Sequence, residues 1–307
     1  MIKFLFIYIK INFQVMLKNF ISKKIKTTDA LINTKIGGTG PPILLMHGYP
    51  QTHLMWHKIA PQLSKKFTVI VTDLRGYGDS SKPETDNSHI VYSKKRMALD
   101  QVEVMKALGF EKFYAVGHDR GARVLHRMMI DNQVSVKKAV FMDIVPTLTM
   151  YNTADKNFAY NYYHWFFLTQ PYDFPEQLIG GNPEYYLRKK IKAWGKNKDF
   201  IPKEVFNEYL RCSSKKETIH ASCEDYRASF TIDLEHDKND YGKKIKNPIY
   251  VMWGEYGFVG NNYQVIDVWK EYATNVKGRG LPCGHYIPEE SPVETLKFLL
   301  EFLNEDK

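Results

Sequence analysis

Residues 117–123, GHDRGAR, place one carboxylate, Asp119, between two glycines. The small-x-acid-x-small pattern stands between an apolar strand pattern and a helical pattern, which is the setting of a nucleophile elbow. Gly117 and Gly121 permit the tight turn and the close packing of helix on strand that such an elbow needs. We therefore predict that Asp119 is a nucleophile. The alternative is that it only caps the following helix.

A carboxylate nucleophile does different chemistry from a serine. It displaces a leaving group from saturated carbon and becomes an ester of the enzyme. Water, deprotonated by a histidine, then attacks the carboxyl carbon of that ester. Backbone amides must hold the resulting oxyanion. We predict the amides of Arg120, at the elbow, and Tyr49, in the segment HGYP that follows an earlier strand.

The base and its acid partner are expected after other strands. His285 follows the last strand-like segment and is the candidate base. For the acid, the sequence offers Glu255 in WGEYG, where Gly257 takes the usual aspartate position, and Asp143 at the end of the apolar segment AVFMDI. Because burying a lone carboxylate is costly, we favour Asp143 as the acid that orients His285, with a turn-capping role as the alternative. The order nucleophile, acid, histidine is that of the α/β-hydrolases.

Two arginines, Arg120 and Arg123, lie three residues apart at the start of the predicted helix, so both can lie beside Asp119. Two guanidinium groups form a fork for a carboxylate. Their charge, together with the helix dipole, keeps Asp119 ionised. The pattern indicates a small carboxylic acid whose neighbouring carbon bears the leaving group.

Strand and helix patterns alternate along most of the chain. We predict strands within 21–46 and at 67–73, 113–119, 138–145, 248–255 and 275–285, and helices at 54–66, 93–109, 120–130, 264–273 and 291–303. This alternation is typical of the α/β class, with a mostly parallel, doubly wound sheet and helices on both of its faces. The predicted architecture is the α/β-hydrolase fold.

A long segment interrupts this alternation. Residues 146–240 are helical in pattern, rich in aromatic residues and broken by Pro and Gly, as in YNYYHWFFLTQP. We predict that they form an inserted helical cap between a first part of the core domain, 16–145, and a second part, 241–307.

Residues 1–15 are interpreted as an N-terminal extension ahead of the natural start at Met16, with a membrane-proximal anchor as the alternative. The apolar run Phe4–Ile9 is too short to span a bilayer. It is also short for a signal-peptide core, and no cleavage site of small residues follows it. We expect no stable membrane insertion.

The composition excludes several other functions. The formal net charge is +9, but the basic residues are spread along the chain and no nucleic-acid-binding motif accompanies them, so we expect no nucleic-acid partner. The three cysteines lack metal-ligand spacing, which favours reduced thiols in a cytoplasmic protein and no metal site. They are Cys212, Cys223 and Cys283.

Six segments together give a family resemblance that covers roughly residues 20–303. They are GHDRGAR, FMDIVPT, YHWFFLTQP, CEDYRA, EHDK and GHYIPEE. The chain resembles the fluoroacetate dehalogenases (haloacetate dehalogenases) of the α/β-hydrolase superfamily. The resemblance implies hydrolysis of 2-haloacetates to glycolate and halide, a small haloacid as substrate, no cofactor, and assembly as a homodimer.

The resemblance also implies roles for individual residues. Asp119 matches the nucleophile, His285 the base and Asp143 the acid, while Arg120 and Arg123 match the residues that bind the substrate carboxylate. The halide-binding residues of the family are matched by His164, Trp165 and Tyr226. Imidazole, indole and phenol each donate one hydrogen bond, and a hydrogen bond to a charged partner contributes about 1.5–3 kcal/mol.

Two other functions stay open on the sequence. An epoxide hydrolase uses the same Asp/His/acid set, but usually has an aromatic residue after the nucleophile, where this chain has Arg120. A non-catalytic receptor or interaction protein of this fold is the second alternative. Loss of Asp119 or His285 would indicate it, and both are present.

Overall fold

The structure is a computed structural model that describes residues 17, 19–132, 135–196 and 199–305, so the predicted extension 1–15 lies outside the described residues. The described strands are β1 (Ile21–Lys26), β2 (Leu31–Gly37), β3 (Pro42–Met46), β4 (Thr68–Thr72), β5 (Phe113–His118), β6 (Val136–Met142), β7 (Ile249–Gly254) and β8 (Val276–Leu281). They form one sheet in the order β1-β2-β4-β3-β5-β6-β7-β8. β2 pairs antiparallel with β1 and β4, and all other neighbours are parallel. The predicted α/β class and mostly parallel sheet are confirmed.

The central strands are apolar on both sides, so helices cover both faces of the sheet. Alternate residues point to opposite faces: Leu44 and Ile70 join one core cluster, and Leu45 and Val71 the other. The first cluster includes residues of α2 (Lys94–Ala107), α3 (Arg120–Asn132) and α13 (Val265–Tyr272). The second includes residues of α1 (Ala60–Leu63), α14 (Ile287–Glu290) and α15 (Pro292–Asn304).

Between β6 and β7 the chain is helical. The helices are α4 (Thr147–Asn152), α5 (Lys156–Asn161), α6 (His164–Phe167), α7 (Phe174–Gly181), α8 (Pro183–Trp194), α9 (Lys203–Ser213), α10 (Lys216–Phe230) and α11 (Ile232–Asn239). We call residues 147–239 the helical insertion. One further helix, α12 (Phe258–Asn262), follows β7.

Some predicted boundaries differ in the structure. The helix predicted at 54–66 is divided into a 3₁₀ turn, His53–Trp56, and the four-residue α1, because Pro61 stands at the N-terminus of α1, a position that proline favours. The helix predicted at 93–109 agrees more closely: Ser93 caps α2 by accepting a hydrogen bond from the Arg96 amide. No helix in the described ranges is long and apolar enough to cross a membrane.

The order of the strands brings the predicted site residues to one edge of the sheet. β3, β5, β6, β7 and β8 are parallel, so the residues that follow their carboxyl ends meet at the same edge. The helical insertion packs on this edge, where Tyr49, after β3, stacks on His164 of α6 at 6.3 Å between ring centroids.

Candidate active site

Asp119 stands at the sharp turn between β5 and α3. Its φ angle is 47°, in the left-handed region that is unfavourable for residues other than glycine and costs about 1–3 kcal/mol. The neighbours must be small, because a Cβ at Gly117 would lie 2.6 Å from the Ala122 Cα and one at Gly121 would lie 2.5 Å from the Met46 carbonyl oxygen. The two glycines therefore permit a strained turn that presents the Asp119 carboxylate at the sheet edge.

His285, Asp143 and Asp119 lie together at this edge. His285 Nδ1 is 2.6 Å from Asp143 Oδ2, and the Gly254 amide donates to Asp143 Oδ1 at 2.9 Å. His285 Nε2 lies 4.0 Å from Asp119 Oδ2 and is buried without a hydrogen-bond partner among the described residues. The structure thus brings the three predicted residues together, with His285 between Asp143 and Asp119.

The alternative acid, Glu255, does not reach the histidine. Its side chain is exposed. A Cβ at Gly257 would lie 3.7 Å from Asp143 Oδ1. An aspartate at the usual position after β7 would therefore place its carboxylate close to where the Asp143 carboxylate lies. In this chain Asp143 is the carboxylate at this position, and it contacts His285.

The charges around Asp119 favour its ionised form. Burial by itself raises the pKa of the Asp119 carboxyl, but His285, His118, Arg120 and Arg123 outweigh burial and hold the pKa below its ordinary value. The carboxylate is therefore charged at neutral pH, as a nucleophile must be.

The His285 imidazole is more basic than usual. Burial by itself lowers its pKa, but the hydrogen bond and the charge of Asp143, and then the charge of Asp119, raise the pKa above the ordinary histidine value. The neighbouring His118 is different: burial lowers its pKa to about 3, and its Nε2 bonds the His285 carbonyl oxygen at 2.7 Å. His118 is thus a neutral ring that supports the turn bearing His285.

One backbone donor already contacts the carboxylate. The Tyr49 amide donates to Asp119 Oδ1 at 2.8 Å. Arg120 is the first residue of α3, and the first amides of a helix have no acceptor within it. These are the two amides predicted from the sequence for the oxyanion.

The Arg120 guanidinium is bound mainly by Asp225, a partner that the sequence did not predict. Its Nε donates to Asp225 Oδ2 at 2.7 Å, and its Nη2 donates to Asp225 Oδ1 at 2.7 Å, to the Asp225 carbonyl oxygen at 2.8 Å and to Ser229 Oγ at 2.6 Å. Only Nη1 is buried without a partner among the described residues. Asp225 thus occupies most of the Arg120 guanidinium, and the predicted binding of the substrate carboxylate by Arg120 stays a prediction that rests on Nη1.

Arg123 has no such acidic partner in the described part of the chain. Its Nη1 donates to the Val145 carbonyl oxygen at 3.2 Å and to Thr147 Oγ1 at 3.0 Å, its Nη2 contacts Met150 Sδ, and its Nε has no partner. The guanidinium lies over the Trp165 ring, 4.6 Å from the centroid. Arg123 is thus a buried positive charge that no carboxylate contacts among the described residues, although the charge of Asp119 acts on it from a distance.

His164, Trp165 and Tyr226 form one cluster on the insertion side. The Tyr226 ring is 5.5 Å from His164 and 6.4 Å from Trp165, measured between centroids. His164 Nδ1 and the Tyr226 hydroxyl are buried and have no partner among the described residues. Burial keeps the pKa of His164 well below and that of Tyr226 well above their ordinary values, so both groups are neutral hydrogen-bond donors.

Two residues that sequence reasoning did not select also form this site. Asp225 accepts hydrogen bonds from Arg120, Lys94 and the Tyr77 hydroxyl, and its place beside Tyr226 in CEDYRA was the only available signal. Trp194 lies 4.6 Å from His164 and 5.4 Å from His285 between ring centroids. No motif marks Trp194, because its position depends on how α8 packs.

Comparison with known proteins defines the class. A family model described as alpha/beta hydrolase fold matches residues 41–292, and the chain belongs to this family. Within it, a fluoroacetate dehalogenase from Burkholderia sp is 40% identical over 291 residues, 94% of this chain and 96% of the relative. The resemblance to the fluoroacetate dehalogenases predicted from the sequence is thereby confirmed, and the chain is a hydrolase.

Two further proteins are similar over most of their length. A soluble epoxide hydrolase from Corynebacterium sp. (strain C12) is 32% identical over 272 residues, 86% of this chain and 91% of the relative. The crystal structure of ALR0039 from Nostoc sp PCC 7120 has a TM-score of 0.93 and 56% identity, and the alignment covers 94% of this chain and 99% of that one. The chain is thus similar both to a fluoroacetate dehalogenase and to an epoxide hydrolase.

The Asp225 network predicts a large effect on stability. Asp225→Asn removes the charge that neutralises Arg120 and Lys94, both buried, and breaking a buried pair costs about 3–5 kcal/mol. The measurement is the free energy of unfolding in urea. The matched control is Asp267→Asn, whose pair with Lys270 is exposed and contributes less than about 1 kcal/mol. Equal effects of both substitutions would contradict the assignment.

Proposed function

We propose that this protein hydrolyses the carbon–halogen bond of small 2-haloacids through an ester on Asp119. The observation that carries the proposal is Arg123, a buried guanidinium beside Asp119 without a carboxylate partner among the described residues. A buried charge without a hydrogen-bonded counter-ion is costly, the more so once esterification removes the Asp119 charge, and the carboxylate of an anionic substrate offsets that cost. A carboxylate nucleophile beside a carboxylate-binding cation selects acids that bear a leaving group on the neighbouring carbon.

The contacts of Asp119 distinguish its two oxygens. Oδ1 accepts the Tyr49 amide, while Oδ2 faces His285 Nε2 across 4.0 Å. In the first step Oδ2 attacks the halogen-bearing carbon, the carbon–halogen bond breaks, and the halide leaves with the bonding electrons. Oδ1 remains as the carbonyl oxygen of the ester.

The leaving halide needs hydrogen-bond donors as its charge develops. The His164, Trp165 and Tyr226 side chains supply an imidazole N–H, an indole N–H and a phenol O–H. The His164 and Tyr226 groups are buried and have no other partner within the ranges that the structure describes. Donors that are already in place cost no reorganisation when the bond breaks. Fluoride depends on them most, because it is the most strongly hydrated halide.

In the second step His285 acts as the base. A water molecule transfers a proton to Nε2 while its oxygen attacks the Asp119 Cγ, and the negative charge moves to Oδ1, where the Tyr49 amide donates. Collapse of this intermediate breaks the bond between Cγ and the ester oxygen, and the departing oxygen takes the proton that His285 Nε2 holds, which releases the hydroxy acid. The proton that remains on the regenerated Asp119 carboxyl passes to solvent, so His285 and Asp119 return to their starting states. Esterification removes the Asp119 charge that raises the His285 pKa, so the imidazole becomes neutral more readily when it is needed.

Epoxide hydrolysis is the second candidate, and one observation favours it. The Tyr226 hydroxyl is buried and has no partner in the described part of the chain, and a phenol so placed can protonate the oxygen of an opening epoxide ring. The similarity to a soluble epoxide hydrolase also supports epoxide hydrolysis. Against it, neutral epoxides give Arg123 nothing to bind.

Assembly as a homodimer and a cytoplasmic location stay predictions. The first rests on the family resemblance. The second rests on the sparse cysteines, which are buried free thiols at Cys212, Cys223 and Cys283.

The role of Arg123 tests the proposal directly. We expect the wild type to release chloride from chloroacetate far faster than from neutral chloroacetamide, and to leave a neutral epoxide such as styrene oxide unopened. Arg123→Lys keeps the charge but loses the planar pair of donors, so kcat/KM for chloroacetate falls by about 10-fold or more, and that for chloroacetamide falls less. Equal losses on both chlorides, or preferred opening of the epoxide, would exclude the haloacid assignment.

The two-step scheme predicts a trapped intermediate. His285→Asn retains the first step and loses the second, so incubation with chloroacetate should add a carboxymethyl ester to Asp119. Intact-mass spectrometry followed by peptide mapping measures the adduct. Asp119→Asn is the control, since a neutral amide forms no adduct. A folded His285→Asn protein that binds chloroacetate and stays unmodified would contradict the scheme.

The halide donors predict a difference between substrates. Trp165→Phe deletes one N–H with little change of shape, so fluoroacetate turnover should fall by about 10-fold or more, and chloroacetate turnover should fall less. Tyr226→Phe should act in the same direction. Rates of fluoride and chloride release give the ratio for each variant. A uniform fall would mean that these side chains only pack the insertion against the core.

The opposite pKa shifts of Asp119 and His285 predict that acid stops the second step first. The pKa of Asp119 is below its ordinary value and that of His285 is above its ordinary value. The larger causes that raise the His285 pKa, the hydrogen bond and the charge of Asp143, persist in the ester, so at about pH 5 the imidazole is protonated in the second step. The Asp119 carboxylate of the free enzyme is still ionised at that pH. The initial burst of chloride should therefore persist as steady turnover falls, and the ester should accumulate in quenched samples. A burst and a turnover that fall together would contradict these shifts.

A further inference from the structure

The turn that bears His285 is held by a glutamate outside the catalytic set. Glu290, at the end of α14, accepts the Gly284 amide at 3.1 Å through Oε2 and the Tyr286 amide at 2.9 Å through Oε1. One carboxylate thus holds the two backbone amides that flank the histidine. No lysine or arginine side chain forms an ion pair with Glu290 in the described part of the chain, so these amides are its main compensation.

The helical insertion takes part in the same arrangement. The Lys196 amide, just after α8, donates to Glu290 Oε2 at 2.7 Å, and the His285 amide donates to the Trp194 carbonyl oxygen at 3.0 Å. The fit is close, since a Cβ at Gly284 would lie 2.5 Å from that carbonyl oxygen. Three consecutive amides, 284–286, are therefore fixed by Glu290 and by the end of α8.

We propose that Glu290 is a positioning residue for His285 and acts on the hydrolysis of the ester, not on its formation. This inference rests on the proposed function. Asp143 fixes the imidazole through Nδ1, but the direction of Nε2 also depends on where the backbone of the turn lies. The first step uses Asp119 and the substrate-binding groups, and His285 accepts a proton only in the second step. A displacement of the turn therefore slows the second step alone.

A structural role of Glu290 makes a different prediction. If Glu290 only joined α14 to the rest of the fold, its loss would weaken both steps equally or leave both unchanged. The adjacent Glu289 provides a matched control. It is buried, accepts hydrogen bonds from the Tyr209 hydroxyl at 3.0 Å and from the Gln51 side-chain amide, and accepts none from the 284–286 amides in the described part of the chain.

The decisive variant is Glu290→Gln. The side chain keeps one oxygen acceptor, but its amide nitrogen cannot accept from a backbone N–H, so part of the hold on the turn is lost. Quenched single-turnover reactions with chloroacetate measure the chloride burst, and intact mass measures the ester on Asp119. We expect an unchanged burst and ester hydrolysis slowed roughly 10- to 100-fold, the scale of a small misplacement of a catalytic group. The ester should accumulate.

The controls separate the outcomes. Glu289→Gln should show no accumulation of ester, because burial raises the Glu289 pKa to about 8 and the amide resembles the protonated acid. Glu290→Asp keeps the charge and shortens the reach, so it should give a smaller accumulation; it decides the question if Glu290→Gln does not fold. Equal slowing of both steps in Glu290 variants, or hydrolysis at the wild-type rate, overturns the inference. A wild type that releases no chloride overturns the proposed function instead.

Discussion

The buried pair of Arg120 and Asp225 joins the two parts of this molecule. Burying two charges costs several kcal/mol per ion, and only good geometry with further hydrogen bonds offsets that cost. Here two bonds link the groups directly, and Ser229, Lys94 and Tyr77 supply further contacts. Arg120 begins the helix after the elbow, and Asp225 lies in α10 of the insertion. Because Tyr226 is the next residue, the bond that docks the insertion also fixes the phenol beside Asp119, and Arg120 lies 4.1 Å from the centre of that ring.

Because of this pair, Arg120 and Arg123 differ in the charge of their hydrogen-bond partners. Arg120 is neutralised by Asp225, which leaves Nη1 without a partner among the described residues, whereas the hydrogen-bond partners of the buried Arg123 in the same ranges are neutral. Buried polar groups without partners are rare in folded proteins, and each needs an explanation. Around Asp119 several occur together, on Arg120, Arg123, His164, Tyr226 and His285. A stable fold gains nothing from this cluster, and under the proposed function the anionic substrate, the leaving halide and the attacking water would supply the missing partners.

The sequence predicted those parts of the site that depend on local pattern. An elbow needs small residues on both sides of the acid, and GHDRGA supplies them, so Asp119 could be placed on the turn between β5 and α3. Asp143 and His285 follow strands whose parallel order brings them to one edge. The partner of Arg120 could not be found in this way, because Asp225 lies 105 residues away and nothing local indicates which charges pair. Trp194 and Glu290 likewise act through the packing of α8 and α14. The three halide donors came from family resemblance, since YHWFF alone reads as core packing.

The helical insertion is anchored on both sides of Asp119. On the arginine side α10 contributes Asp225 and Tyr226, and on the histidine side the end of α8 contributes the Trp194 carbonyl and the Lys196 amide. The Trp194 ring packs between His164 and His285, so one side chain spans the region from the leaving-group donors to the base. Two separated anchors resist rotation in a way that one cannot. Donors for a developing anion are effective only if they are fixed before charge appears. An insertion held at two points meets that requirement, and under the proposed mechanism it allows residues far from the reacting atoms to influence the geometry of both steps.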